Sequence, residues 1–132
     1  MATIERFEDI KAWQAARELV SAVYRISRRR KFEKDFGLRD QIQRASVSVM
    51  ANIAEGFERS SDRDFHQFLY ITKGSAGEVR SHLFVALDLG YVTSDEFDDL
   101  RARLKMWQRH YQGSSRIWLP RTRCDVVFPP ET

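Results

Sequence analysis

The sequence predicts an all-α protein, an antiparallel up-down-up-down four-helix bundle. Apolar residues recur at spacings of three and four in four successive segments, which is the period of an amphipathic helix. The connections between these segments are short, and short connections between long helices favour antiparallel neighbours. With only 3 Pro and 6 Gly among its 132 residues, the chain has few of the residues that form the turns of an all-β protein.

The first predicted helix covers about residues 9–30 and the second about residues 36–55. Apolar residues from Trp13 to Ile26 fall on one face of the first helix, and Leu38 to Ile53 mark the apolar stripe of the second. Gly56 follows the second stripe, where a left-handed C-cap commonly ends a helix. We therefore expect the second helix to end at Gly56.

The third predicted helix covers residues 61–89, with Ser61 as its N-cap and Gly90 just after its end. Gly74 and Gly77 lie inside this helix, where each glycine costs about 1 kcal/mol relative to alanine. We expect a neighbouring helix to approach closely at these two positions.

The fourth predicted helix begins after Thr93 and continues at helical spacing to Leu119. Thr93 and Glu96 have the spacing of a capping box. Pro120 stops the helix, and no periodicity follows it. The expected organisation is one bundle domain over residues 1–119 and a flexible C-terminal tail over residues 120–132.

Composition and charge are those of an ordinary soluble domain. The chain is 42% hydrophobic and 31% charged, with a net charge of +3. The single Cys excludes an intramolecular disulfide and fits a reducing compartment. No apolar run approaches the roughly 18–20 residues of a membrane span, and the N-terminus lacks the order of a signal peptide. We expect a cytoplasmic protein with no membrane partner.

No catalytic residue, metal ligand or cofactor site is predicted. Carboxylate-bridged di-iron bundles need Glu three residues before His, but the residues three before His66, His82 and His110 are Arg63, Val79 and Trp107. The sequence also contains no serine nucleophile elbow, Walker-type phosphate loop or His-Glu-x-x-His zinc motif. We expect a protein that is not an enzyme.

A polar stripe runs along the second predicted helix beside its apolar stripe. It consists of Gln41, Arg44, Ser48, Asn52 and Glu55. The favoured interpretation is a hydrogen-bonded network that joins helices or subunits, because buried polar groups need partners. In this interpretation Arg44 or Glu55 pairs across a boundary, with Glu78 of the third helix as one partner. The alternative is a binding site lined by Arg44, Asn52 and Glu55.

Basic residues are concentrated at the start of the chain. Residues 1–31 carry 8 Lys+Arg and 4 Asp+Glu, more than the whole net charge of +3. The nucleic-acid-binding candidates are Arg17, Arg25, Arg28, Arg29, Arg30, Lys31, Arg103 and Arg109. They predict contact with the phosphate backbone of RNA or DNA, since no familiar recognition element is present. The alternative interpretation is a solvated charged face.

Several apolar residues fall outside the four predicted stripes. These residues are Phe7, Phe57, Tyr70, Phe84 and Met106. A single bundle of this size has little room to bury them all. They favour a second buried surface, and therefore self-association.

Residues 41–56, which include Asn52-Ile53-Ala54-Glu55-Gly56, resemble the four helix bundle protein family, also called the 23S rRNA intervening sequence proteins. Three flanking segments carry the same resemblance: Phe7–Ala16, Arg59–Glu78 and Leu89–Tyr91. The resemblance covers roughly residues 5–119. It departs from the family in the loop over residues 30–36, which lacks the usual Pro.

The resemblance implies an antiparallel four-helix bundle that assembles as a homopentamer. It also implies kinship with the accessory variability proteins of diversity-generating retroelements, which form basic pentameric barrels that bind nucleic acid and a reverse transcriptase. The expected function is that of a bacterial, non-enzymatic, self-assembling bundle that binds nucleic acid through basic faces. The alternative is a structural or protein-interaction module, for example an accessory partner of a reverse transcriptase, without direct nucleic-acid binding.

Overall fold

The computed structural model describes residues 4–59 and 61–108, and within these ranges every regular element is helical. Four long helices and one short helix form the fold. They are α1 (Lys11–Ser27), α2 (Arg30–Lys34), α3 (Phe36–Glu58), α4 (Asp62–Asp88) and α5 (Ser94–Leu104). Short 3-10 turns cover Phe7–Asp9 and Lys105–Trp107. The prediction of an all-α protein is confirmed for the described part of the chain.

The four long helices pack as a ring of antiparallel neighbours. α1 contacts α3 and α5, and α4 contacts the same two helices. Ser48 of α3 meets Ser75 of α4, whereas Gly56, two turns later in α3, lies against Phe65 near the start of α4. These two contacts show that α3 and α4 run in opposite directions. The Arg29–Glu96 and Tyr91–Asp35 contacts bring the end of α1, the start of α3, the end of α4 and the start of α5 together at one pole of the fold.

The core lies along the centre of this ring and is built from the predicted apolar stripes. Its fully buried side chains come from all four long helices, with Leu19, Ile42, Ile53, Leu69, Leu83, Leu100 and Leu104 among them. At roughly 25 cal/mol per Å² of apolar surface, full burial of one leucine is worth about 2 kcal/mol. The amphipathic pattern thus accounts for both the helices and their packing.

The apolar residues outside the stripes divide into two groups. Phe57 is buried, while Phe7 and Met106 are half-buried and pack against the core. Tyr70 is 60% exposed and Phe84 is 45% exposed. The core of one chain therefore accommodates three of the five, and only Tyr70 and Phe84 still favour a second buried surface.

The first helix is shorter than predicted, because α1 ends at Ser27 rather than near residue 30. Arg30 adopts a φ of 43°, in the left-handed region that non-glycine residues rarely occupy. The chain then starts the separate helix α2, whose Phe32 is buried against the ring of Tyr91. A straight continuation of α1 would not direct the chain to this contact, so burial of Phe32 explains the break.

Gly56 does not end the second helix, as the sequence predicts, but lies inside α3. A Cβ atom at Gly56 would lie 2.7 Å from the Cβ of Phe68 and 2.9 Å from the Cδ1 of Phe65. Glycine is therefore required by the close approach of α4 and not by a left-handed cap. The helix continues for another two residues because Phe57 is itself buried, with its ring edge-on to Phe65.

The close approach expected at Gly74 and Gly77 is absent within the described chain. No atom of the neighbouring elements lies within 4 Å of the position that a Cβ would occupy at either residue. The two glycines lie on the solvent side of α4, where packing of one chain does not require them.

The helix-terminal predictions in α4 and α5 are confirmed. The Ser61 hydroxyl accepts a hydrogen bond from the Asp64 amide. Gly90, at a φ of 74°, follows α4, and the Tyr91 amide donates to the Ala86 carbonyl in a Schellman arrangement. Thr93 and Glu96 form both hydrogen bonds of the capping box.

The fourth helix changes character before its predicted end. Its α-helical part stops at Leu104 and continues as the 3-10 turn Lys105–Trp107. The buried indole of Trp107 attaches this turn to the core. The predicted continuation over residues 109–119 and the tail over residues 120–132 lie outside the described residues.

Candidate nucleic-acid interface

Four consecutive cations, Arg28, Arg29, Arg30 and Lys31, lie where α1 turns into α2, and we refer to them as the basic corner. All four side chains are exposed. Because α1 ends at Ser27 and the separate helix α2 begins at Arg30, the four side chains do not share one helix face. The basic corner presents its positive charge over a short distance at one pole of the fold.

The basic corner is held in place by contacts with the turn between α4 and α5. The ring of Phe32 stacks on that of Tyr91 with 5.1 Å between centroids. The Tyr91 hydroxyl donates to Asp35 at 3.0 Å, and this hydrogen bond raises the pKa of the Tyr91 phenol. Asp35 in turn accepts from the Leu38 amide as the N-cap of α3. The corner is thus joined to α3, α4 and α5.

A cleft of about 680 Å³ lies between the basic corner and this turn. Its residues come from both sides: Arg29, Arg30, Lys31, Phe32, Gly90, Tyr91, Val92, Thr93 and Glu96. Basic side chains form one wall, and the helix-ending turn of α4 forms the other. The cleft is large enough to hold a phosphate group together with its sugar.

One carboxylate pairs with the basic corner. Arg29 Nη2 lies 2.7 Å from Glu96 Oε2. The guanidinium of Arg28 lies over the Tyr24 ring, 5.3 Å from its centroid. Arg30 and Lys31 make no ion pair within the described residues. Three of the four cations of the basic corner therefore have no carboxylate partner in the described part of the chain.

Glu96 is the acidic group whose ionisation contributes to the stability of this site. The Thr93 amide, and then the charge and hydrogen bonds of Arg29, hold the pKa of Glu96 below its usual 4.5. The contribution of Glu96 to stability is thus complete above pH 4.5 and is lost as the pH falls through the lowered pKa.

We expect the Glu96→Gln variant to lose up to about 1 kcal/mol of stability at neutral pH, because glutamine can cap Thr93 but cannot pair with Arg29. Urea unfolding of both proteins at pH 7 and pH 3 measures the effect. The difference between them should shrink at pH 3, which lies below the usual glutamate pKa of 4.5 and towards the lowered pKa of Glu96. The Asp98→Asn variant, at an exposed position of α5, is the control. A difference of equal size at both pH values would contradict the role of the Glu96 charge.

Three of the four remaining basic candidates line a second cleft, between α1 and α5. Arg17, Arg25 and Arg103 line it together with Glu8 and Glu18. Arg103 contacts Asp99 at 3.2 Å and Glu18 at 3.6 Å. Carboxylates thus offset much of the positive charge here. These three residues thus line a different cleft from that of the basic corner, although Arg25 precedes Arg28 by only three residues. Arg109 lies outside the described residues.

The polar stripe of α3 reaches α4 at its centre. Ser48 Oγ and Ser75 Oγ are 2.8 Å apart, and Asn52 Nδ2 donates to Ser48 Oγ at 2.9 Å. Glu55 contacts Arg59, one turn further along α3, at 3.3 Å. In this stripe the bond to α4 is therefore made by the two serine hydroxyls, which Asn52 supports from within α3, and not by Glu55.

The ion pair expected between Arg44 and Glu78 does not form within the chain. Both side chains are exposed at the rim of a cleft between α3 and α4, where water solvates them separately. Gln41 lies on the same rim. The structure brings the three residues together without joining them.

Three residues of these sites are absent from the sequence-based candidates. The sequence does not identify Ser75 because its hydrogen-bond partner, Ser48, is on another helix. Phe32 and Tyr91 contact each other although they are 59 positions apart in the sequence. One signal was available for Phe32, which is a lone apolar residue among charged neighbours in a predicted loop.

The described residues contain no cluster of three or more His, Cys, Asp or Glu side chains arranged to hold a metal ion. They also contain no helix that is long and apolar enough to cross a membrane.

Comparison with known proteins gives the family and supports the fold. The family described as 23S rRNA-intervening sequence protein matches residues 8–113. A solved structure of a protein of unknown function from the S23 ribosomal protein family of Bacteroides thetaiotaomicron superposes with a TM-score of 0.66 at 22% identity. That match covers 73% of this chain and 90% of the other. No curated protein matches the chain. The chain belongs to the 23S rRNA-intervening sequence protein family.

Proposed function

We propose that this protein is a non-enzymatic, self-assembling four-helix bundle that binds the backbone of RNA or DNA through its basic corner. The observation that carries the proposal is the basic corner itself: four adjacent exposed cations on an anchored turn, of which only Arg29 forms an ion pair within the described chain. Arginine presents a planar fork of donors that suits phosphate oxygens. Anchoring reduces the entropy lost when a phosphate binds.

The proposed contacts recognise phosphate and not base identity. The aromatic rings nearest the cleft, Phe32 and Tyr91, stack on each other, so they offer no free platform for a base. Binding is therefore expected to depend weakly on sequence and strongly on salt. If the corner neutralises about three phosphates, affinity should fall about 20- to 40-fold between 50 and 200 mM salt.

Self-association would repeat the basic corner several times in one particle. Five of the exposed large apolar side chains lie along α4 or just after it: Tyr70, Ile71, Phe84, Val85 and Leu89. Apolar side chains concentrated on one helix favour a protein contact, and the resemblance to pentameric relatives supports a homopentamer. Repeated weak sites on one particle bind a long polymer by avidity.

We expect the triple variant Arg28→Gln, Arg30→Gln, Lys31→Gln to bind single-stranded RNA and duplex DNA at least about tenfold more weakly at 50 mM salt. It removes three cations but retains the Arg29–Glu96 pair and the anchoring contacts. Mobility-shift titration at 50 and 200 mM salt, with the oligomer sized beforehand, measures both affinity and salt slope. The slope should become shallower in the variant.

The matched control is Arg63→Gln, Arg101→Gln, Lys105→Gln, which removes the same charge from exposed positions on α4, α5 and the turn after it. Binding by the control should remain within about threefold of the parent protein, apart from the general effect of net charge. Equal losses in both triple variants would contradict the assignment to the basic corner. Absence of binding at 50 mM salt would reject nucleic-acid binding altogether.

The second candidate function is a structural or protein-interaction module, such as an accessory partner of a reverse transcriptase. The apolar side chains exposed along α4 favour it, because they suit a protein surface better than a phosphate backbone. In that case the Tyr70→Ser, Ile71→Ser double variant would lose its partner, while the triple variant at the basic corner would retain it.

A further inference from the structure

The cleft between α3 and α4, which is separate from the basic corner, carries opposite charges on its two walls. It measures about 380 Å³ and is lined by Gln41, Arg44, Ala45, Ser48, Ser75 and Glu78. Arg44 comes from α3 and Glu78 from α4. Neither makes a hydrogen bond or ion pair within the described residues, so their charged groups lie farther apart than the roughly 4 Å of an ion pair.

Hydroxyl groups form the floor of this α3–α4 cleft. Ser75 is only 7% exposed, and its hydroxyl lies 2.8 Å from that of Ser48. Asn52 Nδ2 donates to Ser48 Oγ and to the Ser48 carbonyl, which holds the amide and hydroxyl in position. The bond between the two serines uses one of their two hydroxyl protons. The other is available for a further hydrogen bond.

The arrangement selects for a ligand with both charges. The guanidinium of Arg44 would attract a simple anion, but the carboxylate of Glu78 would repel it. A simple cation would be attracted by Glu78 and repelled by Arg44. A molecule with a carboxylate and an ammonium group satisfies both side chains, and its carboxylate also suits the fork of Arg44. A cavity near the lower end of the range for ligand sites limits that molecule to a small one.

We propose that the α3–α4 cleft binds a small zwitterion, a free amino acid or a very short peptide, with its carboxylate on Arg44 and its ammonium group on Glu78. Gln41 and the serine hydroxyls supply neutral hydrogen bonds. Because Arg44, Gln41 and Glu78 are exposed, water screens the contacts, and a dissociation constant on the order of 1 mM is expected.

Ligand-observed saturation-transfer NMR on the full chain tests the proposal and remains suitable if the protein assembles into a large particle. The probes are L-alanine for a free amino acid, glycylglycine for a peptide, and propionate and propylammonium as single-charge analogues. At least one zwitterion should bind at least about fivefold more tightly than either analogue. Tighter binding of L-alanine would indicate a free amino acid as the ligand, and tighter binding of glycylglycine would indicate a short peptide.

Arg44→Gln and Glu78→Gln should each weaken zwitterion binding at least about fivefold. Their charge-matched controls, Lys105→Gln and Asp98→Asn, should bind as the parent protein does. Helicity by circular dichroism verifies that each variant folds, and size-exclusion chromatography reports its assembly.

Three results would overturn the proposal. One is the absence of saturation transfer from both zwitterions up to about 20 mM, and another is equal binding of propionate or propylammonium. The third is loss of assembly in Arg44→Gln and Glu78→Gln without any zwitterion binding to the parent protein. That result would assign the two charges to contact with a second copy of the chain. None of these results bears on phosphate binding at the basic corner, which lies elsewhere.

Discussion

Replacement of Phe32 by alanine is expected to lower the free energy of unfolding by about 3–5 kcal/mol. The side chain is 1% exposed and stacks on Tyr91, so truncation removes a large apolar group and leaves a cavity beneath α2. The loss should appear as a lower urea midpoint with an unchanged slope. Because Phe32 fixes the basic corner against the turn after α4, the nucleic-acid binding proposed for this corner should weaken in the same variant.

Phe36→Ala is the matched control for this experiment. Phe36 is the same residue type four residues later, at the start of α3, yet it is 63% exposed and its only ring contact in the described chain is the guanidinium of Arg39 at 4.7 Å. Its replacement should cost no more than about 1 kcal/mol. Similar losses in the two variants would contradict the burial of Phe32 and, with it, the account of the break between α1 and α2.

Replacement of Gly56 by alanine is expected to destabilise the fold by about 1–3 kcal/mol. In an exposed helix the same change stabilises by up to about 1 kcal/mol, because alanine restricts the unfolded chain and favours the helix. At Gly56 the new methyl group would lie 2.7 Å from the Cβ of Phe68, an atom fixed to the backbone of α4. Steric overlap should therefore outweigh helix propensity and reverse the sign.

Gly74→Ala measures helix propensity without that overlap. Gly74 is exposed within α4, and a Cβ there has no atom of a neighbouring element within 4 Å. This variant should gain about 0.5–1 kcal/mol. Thermal and urea unfolding of the two glycine variants are compared at one protein concentration. A gain in Gly56→Ala would refute the close contact between α3 and α4, and a loss in Gly74→Ala would show that Gly74 packs against another copy of the chain.

Features set by short-range interactions were predicted correctly. Ser61, Gly90 and the Thr93–Glu96 pair act within four residues of a helix end, and the structure confirms all three. The apolar stripes were likewise predictable because helical period alone determines which side chains share a face.

Two errors in the helix boundaries concern contacts between different elements of the fold. The break after α1 depends on Phe32 meeting Tyr91, and the continuation of α3 through Gly56 depends on the position of α4. Neither residue carries a local signal of its partner. In the sequence, a glycine required by close helix packing looks the same as a C-cap glycine. Only the position of Phe68 in the structure shows that Gly56 is of the first kind.

In the candidate sites, too, contacts within one helix were predictable from the sequence and contacts between helices were not. Helical spacing correctly placed Ser48 and Asn52 on one face of α3, and they form one hydrogen-bonded group. Spacing could not supply Ser75, which completes the group from α4. The basic run was evident in the sequence, but spacing could not show that Arg17, Arg25 and Arg103 line a different cleft from Arg29, Arg30 and Lys31.

The hydrogen bond between Tyr91 and Asp35 has a consequence for the order of folding. It joins residues 56 positions apart, so closing this loop carries an entropic cost that local contacts must first offset. During synthesis the four cations of the basic corner leave the ribosome well before Tyr91 does. A nascent chain thus carries the charge early, but it acquires the ordered corner only when most of its helices have been made.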